Sequence, residues 1–372
     1  APRSRPAAAE VPVLDVGALA ASSAESSGAV DELLSSAFGA GGPGILCVVG
    51  DSAFQASVRR VREQLLPQAL ALERLPAAEQ EAIRERGTQN VSNYSRRLDG
   101  HRSGIYYHPA TDTPADCLPP GVHPDPAFYT PCLWPPSMPD LPGQAREAAR
   151  FLVGVGRLLA AALDRCCGAA LAGYRPGVLE ALIRQPEQCN HKCRLICYPE
   201  YDSDEQRASA KGMWAPPHKD TGLLTALVPG VFLDAGPSAE GGRRLPACPD
   251  PEVGLYVRDR GGKILQVAVP AAAGECLLFQ AGEALQVVSG GLYHATEHCV
   301  RGPPRAGAGY ARASLAVFLQ PHAHEDLPLP DGVTMQDVAQ RAHDGLFRMF
   351  LHRQPADKRA INFMEFCTRE GF

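Results

Sequence analysis

His218 and Asp220 stand two positions apart in Trp214-Ala215-Pro216-Pro217-His218-Lys219-Asp220-Thr221-Gly222-Leu223-Leu224-Thr225, a segment that otherwise reads as strand. Side chains on a strand alternate faces, so the imidazole and the carboxylate point one way and Lys219 the other. A histidine nitrogen and a carboxylate oxygen converging on one point form two-thirds of a 2-His-1-carboxylate facial triad. That donor set holds Fe(II) and leaves coordination positions open. The third donor is expected as a histidine on a later strand. Gly291 to Val300 offers His294 and His298, which share parity, and periodicity does not choose between them. Further on, Arg312 and Ser314 are again two apart in a strand pattern. A fixed guanidinium beside a hydroxyl suits bidentate capture of a carboxylate.

A second cluster, Cys189, Cys193 and Cys197 with His191 between the first two, has superficial metal-site spacing. Steps of four on a strand spread these thiols over roughly 13 Å, which does not suit one ion. The 12 cysteines are scattered, with Cys166 and Cys167 adjacent, and read as reduced, partly buried thiols of an intracellular protein.

The elements that must position these groups change character along the chain. Val11 to Val16 reads as a short strand, Val30 to Phe38 as an amphipathic helix and Ile45 to Val49 as a buried strand. Ser52 to Leu66 carries apolar residues at three- and four-residue steps, and Pro67 should end or kink that helix. Helices are also expected at Pro76 to Arg86, Gln144 to Cys166, Pro176 to Arg184 and Met335 to Leu351. Thr88 to Gly143 is proline-rich and is expected as the least regular region, a long loop that is either functional or disordered. From Lys192 onward short strands alternate with Gly/Pro turns: Arg194 to Tyr198, Leu223 to Val228, Gly254 to Arg258, Ile264 to Val269, Glu275 to Phe279, Leu292 to His298 and Arg312 to Leu319. That grammar indicates a sandwich or jelly roll rather than a parallel α/β sheet.

Bulk properties exclude other classes. The net charge of −5 over 372 residues, with no basic stripe, argues against nucleic-acid binding. No apolar run approaches the roughly 20 residues of a membrane span. An apolar fraction of 45%, with 34 prolines and 36 glycines, suits a loop-rich globular protein. Ala1 to Glu10, rich in Ala, Pro, Arg and Ser, is expected as a disordered tail. It reads either as what remains of a processed targeting segment or as an arbitrary start. The expected location is cytoplasmic, or a plastid or other organelle if that tail was processed, and the expected state is a monomer.

Taken in order, the motifs resemble the Fe(II)- and 2-oxoglutarate-dependent dioxygenase superfamily in its isopenicillin N synthase-like, plant-type branch. The matches are Val11-Pro12-Val13-Leu14-Asp15, Tyr198-Pro199, His218 to Thr225, Gly254-Leu255-Tyr256-Val257-Arg258, Gly282 to Val287, Gly291 to Val300 and Arg312-Ala313-Ser314. They span roughly residues 11 to 321. The resemblance implies an α+β fold: a double-stranded β-helix (jelly roll) core with flanking helices, residues 151–372, behind a helix-rich N-terminal region, residues 11–150. The family places its distal ligand after a tyrosine and four residues, which maps to Tyr293 and His298, so the implied metal ligands are His218, Asp220 and His298. Tyr198, Arg312 and Ser314 are the implied holders of the distal carboxylate of 2-oxoglutarate. The implied activity is hydroxylation or desaturation of a small organic molecule, with Fe(II), 2-oxoglutarate and O2 consumed or held, and succinate and CO2 as co-products.

There are departures from the family pattern. Cys299 stands where a basic residue is usual, and Ile196 stands where the plant-type members carry an asparagine. The step from His298 to Arg312 is 14 positions, lengthened by Gly302 to Gly307. An insertion at Gly236 to Arg244 is expected as a loop near the metal-side mouth. Two alternatives follow: an iron oxidase of isopenicillin N synthase type that does not use 2-oxoglutarate, and a non-catalytic ligand-binding protein on the same scaffold. For the substrate pocket the expected residues are Tyr94, Arg96, Arg97, Tyr106, Tyr107 and His108, whose mixture of cations and aromatics favours an anionic or phenolic molecule.

Overall fold

The computed structural model describes residues 8–9, 11–22, 28–84, 92–98, 101–236, 242–259, 262–342 and 360–368. The leading strands are β1 (Ala8–Ala9), β2 (Val13–Asp15), β3 (Ile45–Val49), β4 (Asn93–Leu98) and β5 (Arg102–Tyr107). They are followed by β6 (Lys192–Tyr198), β7 (Met213–His218), β8 (Leu224–Asp234), β9 (Gly254–Arg258), β10 (Ile264–Val267), β11 (Leu277–Ala281), β12 (His298–Arg301) and β13 (Tyr310–Leu319). One sheet has the order β2-β3-β11-β8-β13-β6-β5-β4 and the other β1-β10-β9-β12-β7. Apart from the parallel pairs β1–β10 and β2–β3, the pairings within these sheets are antiparallel. The fold is therefore α+β.

Alternation on the central strands divides the molecule. Cys193, Leu195 and Cys197 of β6, with Ala313, Leu315 and Val317 of β13, belong to the main apolar core. That core is shared with the helix Leu141–Ala170, which buries Leu152, Val155 and Leu159. Gly156 of this helix lies against Leu319 so closely that a Cβ would collide with it; the missing side chain lets helix and sheet touch. The alternate residues of β6 and β13 face the opposite way, towards the five-stranded sheet. There a smaller cluster joins Ile196 and Tyr198 to Trp214, Ala215 and Val300.

Several elements depart from the sequence expectation. Pro67 does not end its helix. The helical path Ser52–Arg60 passes through a π-helical turn, Val61–Leu65, and resumes at Leu66–Glu73. A wider turn accommodates the carbonyl that the proline ring would otherwise strike. The irregular region contains β4 and β5, which extend the eight-stranded sheet through β6. The helix expected at Gln144 to Cys166 starts three residues earlier and ends four later, at Leu141–Ala170.

The strand expected at Leu292 to His298 begins only at His298. Before it, the left-handed Gly290 and Gly291 turn the chain, and the backbone is tied to Phe38 and Gln286 rather than to a ladder. The last expected helix is described as Met335–Ala342, and its remainder to Leu351 lies outside the described residues. Most of the expected N-terminal tail also lies outside them.

Candidate metal centre

His218 closes β7 and His298 opens β12, and the two residues are paired in register across these strands. Their rings lie 4.3 Å apart, centroid to centroid. Pro216 and Pro217 each remove a backbone N–H, which suits β7 to its edge position in the sheet. Asp220 is not on the strand, as parity assumed, but two residues beyond its end. Its main-chain carbonyl accepts from Glu283 N at 2.8 Å, which pins the turn. Asp220 Oδ1 thereby sits 3.9 Å from His218 Nε2 and 3.8 Å from His298 Nε2. The three donor atoms lie within 4.8 Å of one another, the one such group of His, Cys, Asp or Glu among the described residues.

The outer contacts orient these donors. His218 Nδ1 donates to the Pro216 carbonyl at 2.8 Å and His298 Nδ1 to that of Thr296 at 3.1 Å. A ring whose Nδ1 carries the proton turns the Nε2 lone pair towards the shared point. Thr225 Oγ1 donates to Asp220 Oδ2 at 2.6 Å, which leaves Oδ1 facing the histidines. Desolvation, and then the neighbouring His298, lowers His218 to about 4, so its imidazole is a neutral donor at neutral pH. Two imidazoles and one carboxylate with open positions beside them fit Fe(II) by donor chemistry.

His294 is placed elsewhere. It is 3% exposed, its backbone N–H donates to the Phe38 carbonyl, and it does not line the cavity beside the donors.

That cavity holds about 280 Å³ between the two sheets and is lined by all three donor residues. At one end are Tyr198, Arg312 and Ser314. Arg312 is paired in register with Tyr198, and its guanidinium lies 5.3 Å from that ring centroid. It is 8% exposed, and burial lowers its pKa, with Tyr198 as the main opposing contribution. Among the described residues no carboxylate forms an ion pair with it. A Cβ on Gly230 would stand 2.6 Å from the guanidinium, so this glycine leaves the room that the Arg312 head occupies. A buried cation lacking an acidic partner, framed by a phenol and a hydroxyl, fits a ligand carboxylate.

Of the six residues expected to form the substrate pocket, only Tyr106 lines the cavity. Tyr94 and Tyr107 are in the main core, with their hydroxyls on Glu73 and the Ala145 carbonyl. Arg97 pairs with Glu73 and Asp202, and Arg96 lies 3.8 Å from Glu73. His108 is buried against the Cys189 carbonyl. β5 alternates, and Tyr106 is on the face opposite to Tyr107.

The residues that sequence reasoning missed are Lys192, Arg194 and Gln280, all lining the same cavity. For the first two a signal was present: they share parity with Tyr198 on β6. Cys189, Cys193 and Cys197 are buried free thiols, and the other nine cysteines are free as well. The described flank of the insertion, through Leu245, pairs with Phe232 on β8, next to Arg312 and not at the metal donors; 237–241 lie outside the described residues. Among the described residues no helix is long and apolar enough to cross a membrane.

No family model and no curated protein sequence matches the chain. Comparison of structures, however, gives the fold: the chain shares it with the 2OG-Fe(II) oxygenases. A protein of that family from Caulobacter crescentus superposes with a TM-score of 0.60 at 18% identity, covering 97% of this chain and 98% of the other. A full-length Neurospora crassa protein, crystallised in complex with alpha-KG, gives 0.57 at 15% identity over 96% and 95% of the two chains. The rice dioxygenase for auxin oxidation gives 0.54 at 17% identity over 96% and 94%.

Proposed function

We propose that this chain is an Fe(II)- and 2-oxoglutarate-dependent oxygenase acting on a small organic molecule, built on a double-stranded β-helix. In this reading His218, Asp220 and His298 hold Fe(II), while Tyr198, Arg312 and Ser314 hold the distal carboxylate of 2-oxoglutarate. Bound together, the metal and co-substrate supply oxidative decarboxylation with O2, releasing succinate and CO2 and hydroxylating or desaturating the substrate. Residues 11–150 act as a region that extends and buttresses the core at 151–372.

The chain's own contributions are ligation, orientation and exclusion of water. The Nδ1 hydrogen bonds and Thr225 hold the three donors in their ligating orientation before metal arrives, which lowers the cost of assembling the site. Arg312 neutralises a carboxylate inside a low-dielectric recess, where the attraction is stronger than in water. Ile196 and Leu227 line the wall between and keep it apolar.

The observation that carries this reading is the opening of the three-donor cluster onto a cavity whose other end presents the buried Arg312. Anaerobic titration with Fe(II) and then 2-oxoglutarate tests it: a visible metal-to-ligand charge-transfer band is expected. Iron binding without that band would favour an iron oxidase, and no iron binding would favour a non-catalytic ligand-binding protein.

A further inference from the structure

The β6–β13 pair carries cations at both ends of its cavity-facing side: Lys192 and Arg194 of β6 at one end, and Arg312 of β13, in register with Tyr198, at the other. Six residue steps of strand lead from Lys192 to Tyr198, about 20 Å. A five-carbon diacid, with four C–C bonds of ~1.5 Å, reaches no more than about 6 Å between its carboxyl carbons. One molecule of 2-oxoglutarate held at Arg312 therefore does not run along the strand pair to the Lys192 end.

That end is built for an anion. Lys192 is 8% exposed, and its one hydrogen bond is to the Phe128 carbonyl, so two of its three N–H bonds have no acceptor among the described residues. The groups that oppose its desolvation are the thiols Cys132 and Cys193, not carboxylates. Arg194, on the same strand face, stacks over Tyr106 at 4.8 Å. Across the sheet the register runs Lys192–Phe318–Thr225–Gln280. Gln280 is 1% exposed, and among the described residues neither its amide nitrogen nor its oxygen has a hydrogen-bond partner. A buried amide left open at both atoms is costly unless a ligand completes it.

We infer that the primary substrate is a small organic monocarboxylic acid, docked by its carboxylate on Lys192 beside Arg194, with a polar group met by Gln280. The inference rests on the oxygenase reading for what happens to that acid, but the anion site stands on its own geometry. Tyr106, Phe128 and Phe318 supply the apolar middle. The reacting carbon lies towards Thr225 and Asp220, two strand spacings or about 10 Å from Lys192, backbone to backbone.

The test is calorimetric titration of the anaerobic full chain, loaded with Fe(II) and 2-oxoglutarate. The probes are phenylacetate, cinnamate and octanoate, each beside its methyl ester. At least one acid is expected to bind tenfold or more tighter than its ester. Lys192→Met should erase that preference while the charge-transfer band with 2-oxoglutarate persists, and Lys192→Arg should retain it. The inference is overturned if no acid is preferred to its ester, if Lys192→Met keeps the preference, or if Lys192→Met weakens 2-oxoglutarate instead. A wild-type chain without the band overturns the oxygenase reading alone. The same acid–ester comparison on metal-free protein then still decides the anion site.

Discussion

The two ends of the β6–β13 pair hold the same kind of problem and solve it differently. At one end Arg312 is buried beside Tyr198, with Gly230 leaving space for its head. At the other Lys192 is buried against Phe128 and two thiols. Neither has a carboxylate partner among the described residues, and burying a charge without one is expensive. The guanidinium cannot discharge, so its end must be completed by an anion or hydrogen bonds at all times. The ammonium can, which makes its end the adaptable one. The difference fits a co-substrate that is always the same at Arg312 and a more particular molecule at Lys192.

The largest expected effects fall at the candidate metal donors, which both ends serve. Asp220→Ala removes the one anion of the cluster, and we expect loss of the charge-transfer band and of succinate release to background. His218→Ala should do the same. His294→Ala, outside the cavity, should keep the band. A band that survives Asp220→Ala, or vanishes with His294→Ala, would break the assignment. Product analysis for succinate and anaerobic absorbance together provide the measurement.

Next in size is the Arg312 end. Arg312→Lys keeps the charge but loses the planar fork, and charge-assisted hydrogen bonds are worth about 1.5–3 kcal/mol each. The KM for 2-oxoglutarate should rise roughly tenfold to a hundredfold, with iron affinity unchanged. Gly230→Val should move the same quantity in the same direction by crowding the guanidinium. If either variant left the KM for 2-oxoglutarate unchanged while weakening an organic acid, the roles of the two ends would be reversed.

How much of this was legible in the sequence depends on whether a residue's role follows from its neighbours in the chain. That His218, Asp220, Arg312 and Ser314 meet at one cavity was legible because short local patterns place them. Even so, the strand argument for Asp220 was only partly apt: the residue lies beyond β7, held by the Glu283 N–H. His298 was separable from His294 only by family pattern, since the strand that distinguishes them begins at His298 itself. β4 and β5 were illegible because their run of Tyr, Arg and Ser lacks a two-residue apolar period, and pairing with β6 supplies what the sequence pattern does not. Lys192 was passed over because a lysine at a strand's start reads as a solvated edge. Its burial is tertiary, imposed by Phe128 from the distant short helix Pro126–Tyr129.

The last contrast bears on stability and distinguishes the two cations most directly. Burial lowers Lys192 to about 8, against the 10.5 of an exposed lysine. Below pH 8 both folded and unfolded chains carry the proton, and the folded state bears the full desolvation penalty, on the order of 3 kcal/mol. Between pH 8 and about 10.5 the unfolded lysine holds a proton that the folded one has released, so wild-type stability rises with pH through this window. Lys192→Met has no such proton. In ligand-free protein it should be more stable than wild type at pH 7, and the gap should close as pH approaches 10.5. Urea unfolding of both proteins across that range measures the gap directly, with other titrating groups cancelling in the difference. A gap that is constant with pH would mean that Lys192 is not desolvated, and the contrast with Arg312 would lose its physical basis.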